Sequence, residues 1–326
     1  QALLERLENA LASAASGRGA IVVLEGEPGM GKTRLLAAFA ESACAAGAIV
    51  CQARFPEGAP SPAYRPWRQL LAALVESRPP ERLADEIGAG LPWVARPVPG
   101  LSAAPDAEAA PGLEDEGATL RLFDAVTRFL RRVAASAPLV LVLDDLHGAD
   151  RSSLALLESL AEEIRDARIL LVGSYRSCEL EPEHPLPSTL AELARLSSYK
   201  RLRLEGVDLE ATSALVRAAI GRDPGDDRLS EIHARTDGNP FYVHELARFL
   251  AEPEPEARDR MVPPSLRELL RGRLQRLPLR CRSTLELASA LGREFALDVL
   301  RRASGLGIAD LMEAIEVGRR AGFVEM

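Results

Sequence analysis

The strongest constraint on the fold is an eight-residue segment, Gly26-Glu27-Pro28-Gly29-Met30-Gly31-Lys32-Thr33. It matches the phosphate-loop pattern G-x-x-x-x-G-K-[ST] at every required position. The apolar run 20–25 predicts a buried strand before the loop, and the pattern of 34–41 predicts a helix after it. Because loop amides and a helix N-terminus together attract anions, this order of elements predicts a phosphate-binding site.

The residue types in the loop indicate what each position would do. Glycine lets the backbone approach a phosphate closely. Lys32 would supply positive charge to the β- and γ-phosphates, and Thr33 would supply a hydroxyl to Mg²⁺. A glycine-rich turn with a chance lysine is the alternative, and the flanking strand and helix argue against it. We therefore predict that nucleotide is bound by Gly26, Glu27, Pro28, Gly29, Met30, Gly31, Lys32, Thr33 and Arg34.

A second motif supplies carboxylates. The continuous apolar run 139–143 is typical of a central parallel strand, and it is closed by Asp144 and Asp145. A Mg²⁺ site needs a carboxylate at the carboxyl end of a strand beside the phosphate loop. We expect Asp144 to serve as that metal ligand and Asp145 to orient or deprotonate an attacking water. A strand ending in a solvated acidic turn is the alternative for either residue alone.

Three basic features have two interpretations each. Arg176 follows the predicted strand 168–174 at the edge where ligands bind in open sheets, so it either reaches a γ-phosphate or lies on the surface. His147 is interpreted as a structural histidine rather than a catalytic one. The arginine-rich segment 267–282 is interpreted as a solvated helix face rather than a nucleic-acid or nucleotide contact, given the net charge of −8.

Composition excludes several other classes. The acidic balance argues against wholesale nucleic-acid binding, so we expect no DNA contact by this segment. No apolar run reaches the roughly 18 residues of a membrane span, and the first residues do not form a signal peptide. The cysteines at 44, 51, 178 and 281 lack metal-ligand spacing and predict reduced, mostly buried thiols. We expect a cytoplasmic protein with no membrane contact.

The order of predicted elements suggests three domains. Strands and helices alternate up to about residue 205, which predicts a parallel α/β P-loop domain over 1–205. The later pattern is helical, with a lid expected over 206–253 and an incomplete winged-helix-like domain over 262–326, whose β-hairpin wing would start at 322–326. Residues 88–117 lack periodicity and are interpreted as a mobile insertion. Because the sequence begins inside a predicted helix, we expect a longer protein.

Six segments match a known family: Gly26–Leu36, Leu141–Asp150, Leu171–Arg176, Asp237–Leu246, Val262–Arg267 and Leu274–Leu277. Together they resemble the STAND branch of the AAA-like P-loop ATPases, which are signal-transduction ATPases of LuxR-type and related bacterial regulators. Gly148 departs from that pattern, since the usual form has tryptophan there. The Val-Gly-Arg-Glu-like segment that helps hold the base in relatives is not in the sequence, so base recognition is expected to be weak.

The resemblance implies that Asp144 holds Mg²⁺, Asp145 is the catalytic base, Arg176 senses the γ-phosphate and Pro240 packs on the adenine. It also implies ATP or ADP and Mg²⁺ as cofactors. The expected function is slow, Mg²⁺-dependent ATP hydrolysis, with the ATP or ADP state controlling the lid and the winged helix. We expect self-association in the ATP state and effector or sensor domains outside this chain.

Other classes remain open at this point. An AAA-type motor or loader acting on a macromolecule would need pore loops or a trans arginine finger, and polymer-stimulated hydrolysis would reveal it. A small-molecule kinase shares the phosphate loop but does not need the long helical C-terminus, and phosphoryl transfer to an acceptor would identify it. An adaptor without nucleotide binding is disfavoured by the intact Lys32, Thr33 and Asp144.

Overall fold

The computed structural model describes residues 2–56, 62–87, 116–176, 183–251, 264–275, 277–292 and 294–324. Nearly all of the predicted insertion, Cys178 and the end of the expected wing (325–326) therefore lie outside the described residues. The chain divides into two compact units. One combines Gln1–Glu25, Lys32–Arg176 and Leu180–Arg203, and the other combines Gly26–Gly31 with Leu204–Met326.

The first unit alternates strands and helices, as predicted. Its strands are β1 (Ala20–Glu25), β2 (Ile49–Arg54), β3 (Leu139–Asp144), β4 (Ile169–Tyr175) and β5 (Tyr199–Arg203). Its helices are α1 (Ala2–Ala15), α2 (Lys32–Ala45), α3 (Arg65–Glu76), α4 (Pro80–Ile87), α5 (Glu116–Ser136), α6 (Arg151–Glu163) and α7 (Leu186–Leu193).

The five strands form one parallel sheet in the order β2-β3-β4-β1-β5. The residues of β3 and β4 are buried throughout, which explains their continuous apolar runs. The register pairs Arg54 with Asp144 and Glu25 with Tyr175, so the carboxyl ends of neighbouring strands are level. This arrangement confirms the predicted α/β fold class and brings the residues that end each strand to one edge.

Apolar side chains from the helices and the sheet form the core of this unit. Trp67 on α3 is fully buried and packs in the same cluster as Phe129 of α5 and Leu157 of α6. Its indole Nε1 donates to the carbonyl oxygen of Ser153 at 3.0 Å, so the buried N–H has a partner. The apolar faces of these helices therefore cover the sheet.

In the second unit, the described residues after Leu204 form helices joined by turns and contain no strand. Asp208 caps α8 by accepting from the backbone N–H of Ala211 at 2.8 Å. Residues 322–324 contain no strand, and the rest of the expected wing lies outside the described residues, so the wing stays a prediction. The helices are α8 (Leu209–Ile220), α9 (Asp226–Thr236), α10 (Pro240–Ala251), α11 (Pro264–Gln275), α12 (Leu279–Leu291), α13 (Leu297–Ser304) and α14 (Ile308–Arg320).

The structure bears on two predictions made from composition, the absence of a membrane span and the burial of the cysteines. Among the described residues, no helix combines the length and apolar character needed to cross a bilayer. Cys51 and Cys281 are buried, whereas Cys44 is exposed. Burial raises the pKa of the Cys51 thiol to about 11, which keeps this group protonated near neutral pH.

Candidate active site

Two motifs that lie far apart in the sequence meet at the carboxyl edge of the sheet. Thr33, in the first turn of α2, donates its hydroxyl to Oδ2 of Asp144 at 2.9 Å. Asp144 ends β3 and is buried. Its other oxygen, Oδ1, accepts a hydrogen bond from the Ser174 hydroxyl on β4. The carboxylate is thus held on both oxygens by neighbouring elements.

The donor set around Asp144 suits a hard cation. Mg²⁺ takes oxygen ligands and is usually held by one or two carboxylates together with water and substrate phosphates. The Thr33 hydroxyl and the Asp144 carboxylate are adjacent oxygens of that kind, so these residues fit the implied ion. The described ranges contain no cluster of three or more His, Cys, Asp or Glu side chains that could hold a metal by themselves. An ion held by the two oxygens of Thr33 and Asp144 would take its other ligands from phosphate and water.

Asp145 has an unusual backbone conformation. It has a left-handed conformation, with φ of 61° and ψ of 49°, which is uncommon for a residue other than glycine. Its backbone N–H donates to the Ser174 hydroxyl at 3.1 Å, and that same hydroxyl donates to Asp144. Ser174 therefore orients both acids. From the sequence, Ser174 is recognised only as part of the segment Leu171–Arg176, and this role is not predicted.

The Asp145 side chain is 3% exposed and lies among basic groups. Arg54 Nε is 2.6 Å from Oδ2, whereas Arg176 Nη2 and His147 Nε2 are 3.8 and 3.9 Å from Oδ1. Arg54 ends β2, the strand next to β3. It was not predicted from the sequence as a site residue. Its only signal was its position at a strand end, which becomes informative once the strand order is known.

Lys32 and Arg34 belong to the first unit and differ in exposure. Lys32 is the first residue of α2 and is 6% exposed, whereas Arg34 in the same turn is exposed. In the second unit, Gly29 and Gly31 have φ of 83° and 88°, the left-handed region that glycine tolerates. The Met30 N–H donates to the Glu27 carbonyl oxygen at 3.3 Å, which closes the turn.

Two further residues of the predicted phosphate loop contact other residues of the second unit. The Glu27 carboxylate lies against Gly322, where an added Cβ atom would be 2.6 Å from Oε1. A Cβ atom on Gly26 would lie 3.1 Å from that of Leu204. Pro240, the predicted adenine contact, is the first residue of α10 and is partly buried. It directly follows Asn239, whose side chain contacts the loop residue Pro28.

The structure explains two further features of the motifs. Tyr175 is buried, and its pKa is raised to about 12 by that burial and by the nearby Glu25 carboxylate, so it is a neutral phenol.

A Cβ atom on Gly148 would be only 2.7 Å from the carbonyl oxygen of Pro56. The tryptophan usual at position 148 in the resembled family therefore does not fit here.

The family is decided by a match along the first half of the chain. A family model described as an AAA ATPase domain matches residues 1–172. The chain belongs to this AAA ATPase family. Membership identifies it as an ATPase that binds ATP, which confirms the predicted P-loop ATPase in this general form. Among curated proteins, none matches the sequence.

Solved structures are similar to this AAA ATPase chain at low identity, and the first described here shares its fold. The Walker-type ATPase of Pyrococcus abyssi is 13% identical with a TM-score of 0.58, over 98% of this chain and 88% of its own. A STAND protein with a tetratricopeptide repeat sensor from Pyrococcus horikoshii is 14% identical with a TM-score of 0.45, over 96% of this chain. This chain covers 38% of that STAND protein. A RuvB variant of Thermotoga maritima is 18% identical with a TM-score of 0.44, over 98% of this chain and 87% of its own.

Proposed function

We propose that this ATPase is a Mg²⁺-dependent, slowly hydrolysing switch of a signal-transduction or transcriptional regulator. The observation that carries the proposal is the 2.9 Å hydrogen bond between Thr33 Oγ1 and Asp144 Oδ2. This bond joins Thr33 of the phosphate loop to Asp144 of the acidic motif. These two residues supply the oxygen ligands that a nucleotide-bound Mg²⁺ requires from the protein. The second acid, Asp145, lies next in sequence and is oriented by the same serine, Ser174.

Each site residue has a proposed role. The amides of the loop and of the first turn of α2 bind the phosphates, with Lys32 supplying the positive charge. Thr33 and Asp144 would hold the Mg²⁺ ion, which when bound neutralises charge on the β- and γ-phosphates. Asp145 accepts a hydrogen bond from the attacking water and orients it. This division leaves Asp144 as a ligand and Asp145 as the group that acts on water.

Arg176 and Pro240 are proposed to bind opposite ends of the nucleotide. A guanidinium close to the Asp145 carboxylate, as Arg176 is, lies where an incoming water and the γ-phosphate would meet. Pro240 fixes its own φ and begins α10 without an unsatisfied N–H, so its ring can pack on a base with little entropic cost. Pro240→Ala is expected to weaken ADP and ATP binding equally in calorimetry, and by less than Lys32→Ala does.

The switch is proposed to act through the helical part of the chain. We assign 1–205 to the ATPase domain, 206–253 to a lid and 262–326 to a winged-helix-like domain. A nucleotide shifts such an equilibrium only by its different affinity for the two states. The ion pair of Arg54 with Asp145 supports slow turnover, because the guanidinium competes with the attacking water for an oxygen of the proposed base. Self-association with ATP bound and effector or sensor domains outside this chain complete the proposal.

The test of nucleotide binding compares the two lysines of the sequence, Lys32 and Lys200. Wild-type protein should gain about 2.7 kcal/mol of stability at a nucleotide concentration one hundred times its Kd. Lys32→Ala should lose this gain, measured as the ADP- or ATP-dependent shift in Tm. Lys200→Ala, on the exposed face of β5, should keep it. An unchanged shift in Lys32→Ala would contradict the proposed site.

The test of the switch measures hydrolysis and conformation together. With Mg²⁺, ATP should be hydrolysed slowly, and chelation of Mg²⁺ should stop hydrolysis. Limited proteolysis of the 206–324 region should give different patterns with ADP and with a non-hydrolysable ATP analogue. Identical patterns with both nucleotides would remove the support for a switch while leaving the ATPase in place.

A further inference from the structure

Asn239 connects the phosphate loop to the first turn of α10. Its side chain is buried, with 3% of the residue exposed. Its Nδ2 donates to the Pro28 carbonyl oxygen at 3.0 Å. Its Oδ1 accepts from the backbone N–H groups of Phe241 and Tyr242 at 3.1 and 3.4 Å, which caps α10. One amide side chain thus uses its donor on the loop and its acceptor on the helix.

A second contact joins the same two elements. The Phe241 N–H also lies 3.3 Å from the Gly29 carbonyl oxygen and donates to it. The approach is close enough that a Cβ atom on Gly29 would be 2.8 Å from both Asn239 Oδ1 and Phe241 Cβ. Glycine at position 29 is therefore required by the helix as well as by its left-handed backbone, with φ of 83°.

The turn that presents Asn239 is itself held in place. Asp237 and Gly238 are both left-handed, with φ of 46° and 68°. The Val207 N–H donates to the Gly238 carbonyl oxygen at 2.8 Å, which attaches the turn to the segment before α8. Thr236 at the end of α9 is buried and donates its hydroxyl to the Ile232 carbonyl oxygen at 2.7 Å. Asn239 therefore meets the loop from a constrained backbone.

We propose that Asn239 is a positioning residue that sets the backbone conformation of the phosphate loop and couples it to the first turn of α10. The inference rests on the proposed nucleotide binding by this loop. Phosphate is bound by backbone amides whose directions depend on the loop conformation. A side chain that holds the Pro28 carbonyl therefore sets nucleotide affinity without touching the nucleotide. By linkage, bound nucleotide stabilises the contact of Asn239 and Phe241 with the loop.

The asparagine side chain is suited to both tasks. Serine can replace its capping acceptor, since serine and asparagine are comparable N-caps, but serine is too short to reach the Pro28 carbonyl. Asn239→Ser thus separates the loop contact from the helix cap and adds no charge. Asp208→Ala is a matched control, because it removes a helix cap in the same segment and Asp208 bonds to Ala211 rather than to the loop.

The experiment measures nucleotide affinity, turnover and hydrogen exchange in the full chain. Asn239→Ser should raise the Kd of ADP and of ATP by the same factor, roughly two- to tenfold, as expected for one neutral hydrogen bond. The kcat at saturating ATP should stay near wild type, because Asp144 and Asp145 are unchanged. In Asp208→Ala the Tm should fall and both Kd values should remain those of wild type.

Hydrogen exchange tests the loop contact without any nucleotide. The peptide covering 26–31 should exchange faster in Asn239→Ser than in wild type, and at the wild-type rate in Asp208→Ala. Wild-type Kd values together with wild-type exchange in Asn239→Ser would overturn the inference while leaving the ATPase site intact. If the wild-type protein bound no nucleotide, the proposed function would fail, and the exchange of 26–31 would still decide whether Asn239 holds the loop.

Discussion

Arg54 Nε lies 2.6 Å from Asp145 Oδ2, so the last residue of β2 is paired with the acid that follows β3. The two side chains differ in environment, since that of Arg54 is 61% exposed and that of Asp145 is 3% exposed. The arginine can therefore move into solvent, whereas the carboxylate is confined. A guanidinium that donates to this oxygen competes with a water for its lone pairs. The pair thus restrains Asp145, the residue that we propose to orient the attacking water.

The first prediction is that Arg54→Ala increases ATP hydrolysis. Removing the guanidinium frees Oδ2, and kcat should rise by roughly two- to fivefold, since partly exposed ion pairs contribute up to about 1 kcal/mol. Steady-state phosphate release measures this change. Arg203→Ala is the matched control, because Arg203 is an exposed arginine at the end of β5. A fall in kcat in Arg54→Ala would show instead that this arginine assists the reaction.

The second prediction separates the two acids. Asp145→Asn should leave ATP binding near wild type and reduce hydrolysis by roughly 10²–10⁴-fold, the usual contribution of a general base. Asparagine is the suitable replacement because it tolerates the left-handed backbone of position 145, whereas alanine would add strain. Isothermal calorimetry with ATP and a phosphate-release assay give the two values. A wild-type rate of hydrolysis in Asp145→Asn would show that another residue orients the attacking water.

Asp144→Asn provides the comparison for that experiment. Loss of the carboxylate should weaken the dependence of nucleotide affinity on Mg²⁺, because Asp144 is the proposed metal ligand. Affinity measured with Mg²⁺ and with a chelator should therefore differ less in Asp144→Asn than in Asp145→Asn. The same difference in both variants would contradict the division of roles.

The third prediction concerns Arg176, which lies 3.8 Å from Asp145 Oδ1. Arg176→Ala should weaken ATP binding by roughly ten- to one hundredfold, as for the loss of a hydrogen bond to a charged group, and should spare ADP binding. The reason is that only ATP presents a γ-phosphate. Competition between the two nucleotides measures the ratio directly. Equal losses for ADP and ATP would identify Arg176 as a structural arginine.

The fourth prediction concerns the glycine that replaces the usual tryptophan. Gly148→Ala should lower the free energy of unfolding by about 1–3 kcal/mol, because its Cβ would meet the Pro56 carbonyl oxygen and the backbone must shift. Gly272→Ala is the control, since position 272 lies in α11 with nothing near its added Cβ. There alanine should stabilise by about 0.5–1 kcal/mol. Chemical denaturation of the two variants tests both values, and equal stability would contradict the close approach at Gly148.

The sequence alone determined the class of fold and the residues of its two motifs. The phosphate loop is a local pattern, and its strand and helix are adjacent in the chain, so no distant contact was needed to recognise it. The run 139–143 predicted a central strand because apolar residues on both faces suit burial on both sides. The proximity of Thr33 and Asp144 then followed from the parallel order of strands, in which carboxyl ends share one edge.

Only the tertiary structure decided which side chains surround those motifs. Arg54 became a partner of Asp145 because β2 pairs with β3 in a register that pairs Arg54 with Asp144, and strand order is not written in local periodicity. Asn239 reached Pro28 across 211 positions of sequence, and local spacing does not predict that contact. Gly148 is explained by the approach of Pro56. In each case the partner is distant in the chain, and its distance depends on packing, which propensity and spacing do not determine.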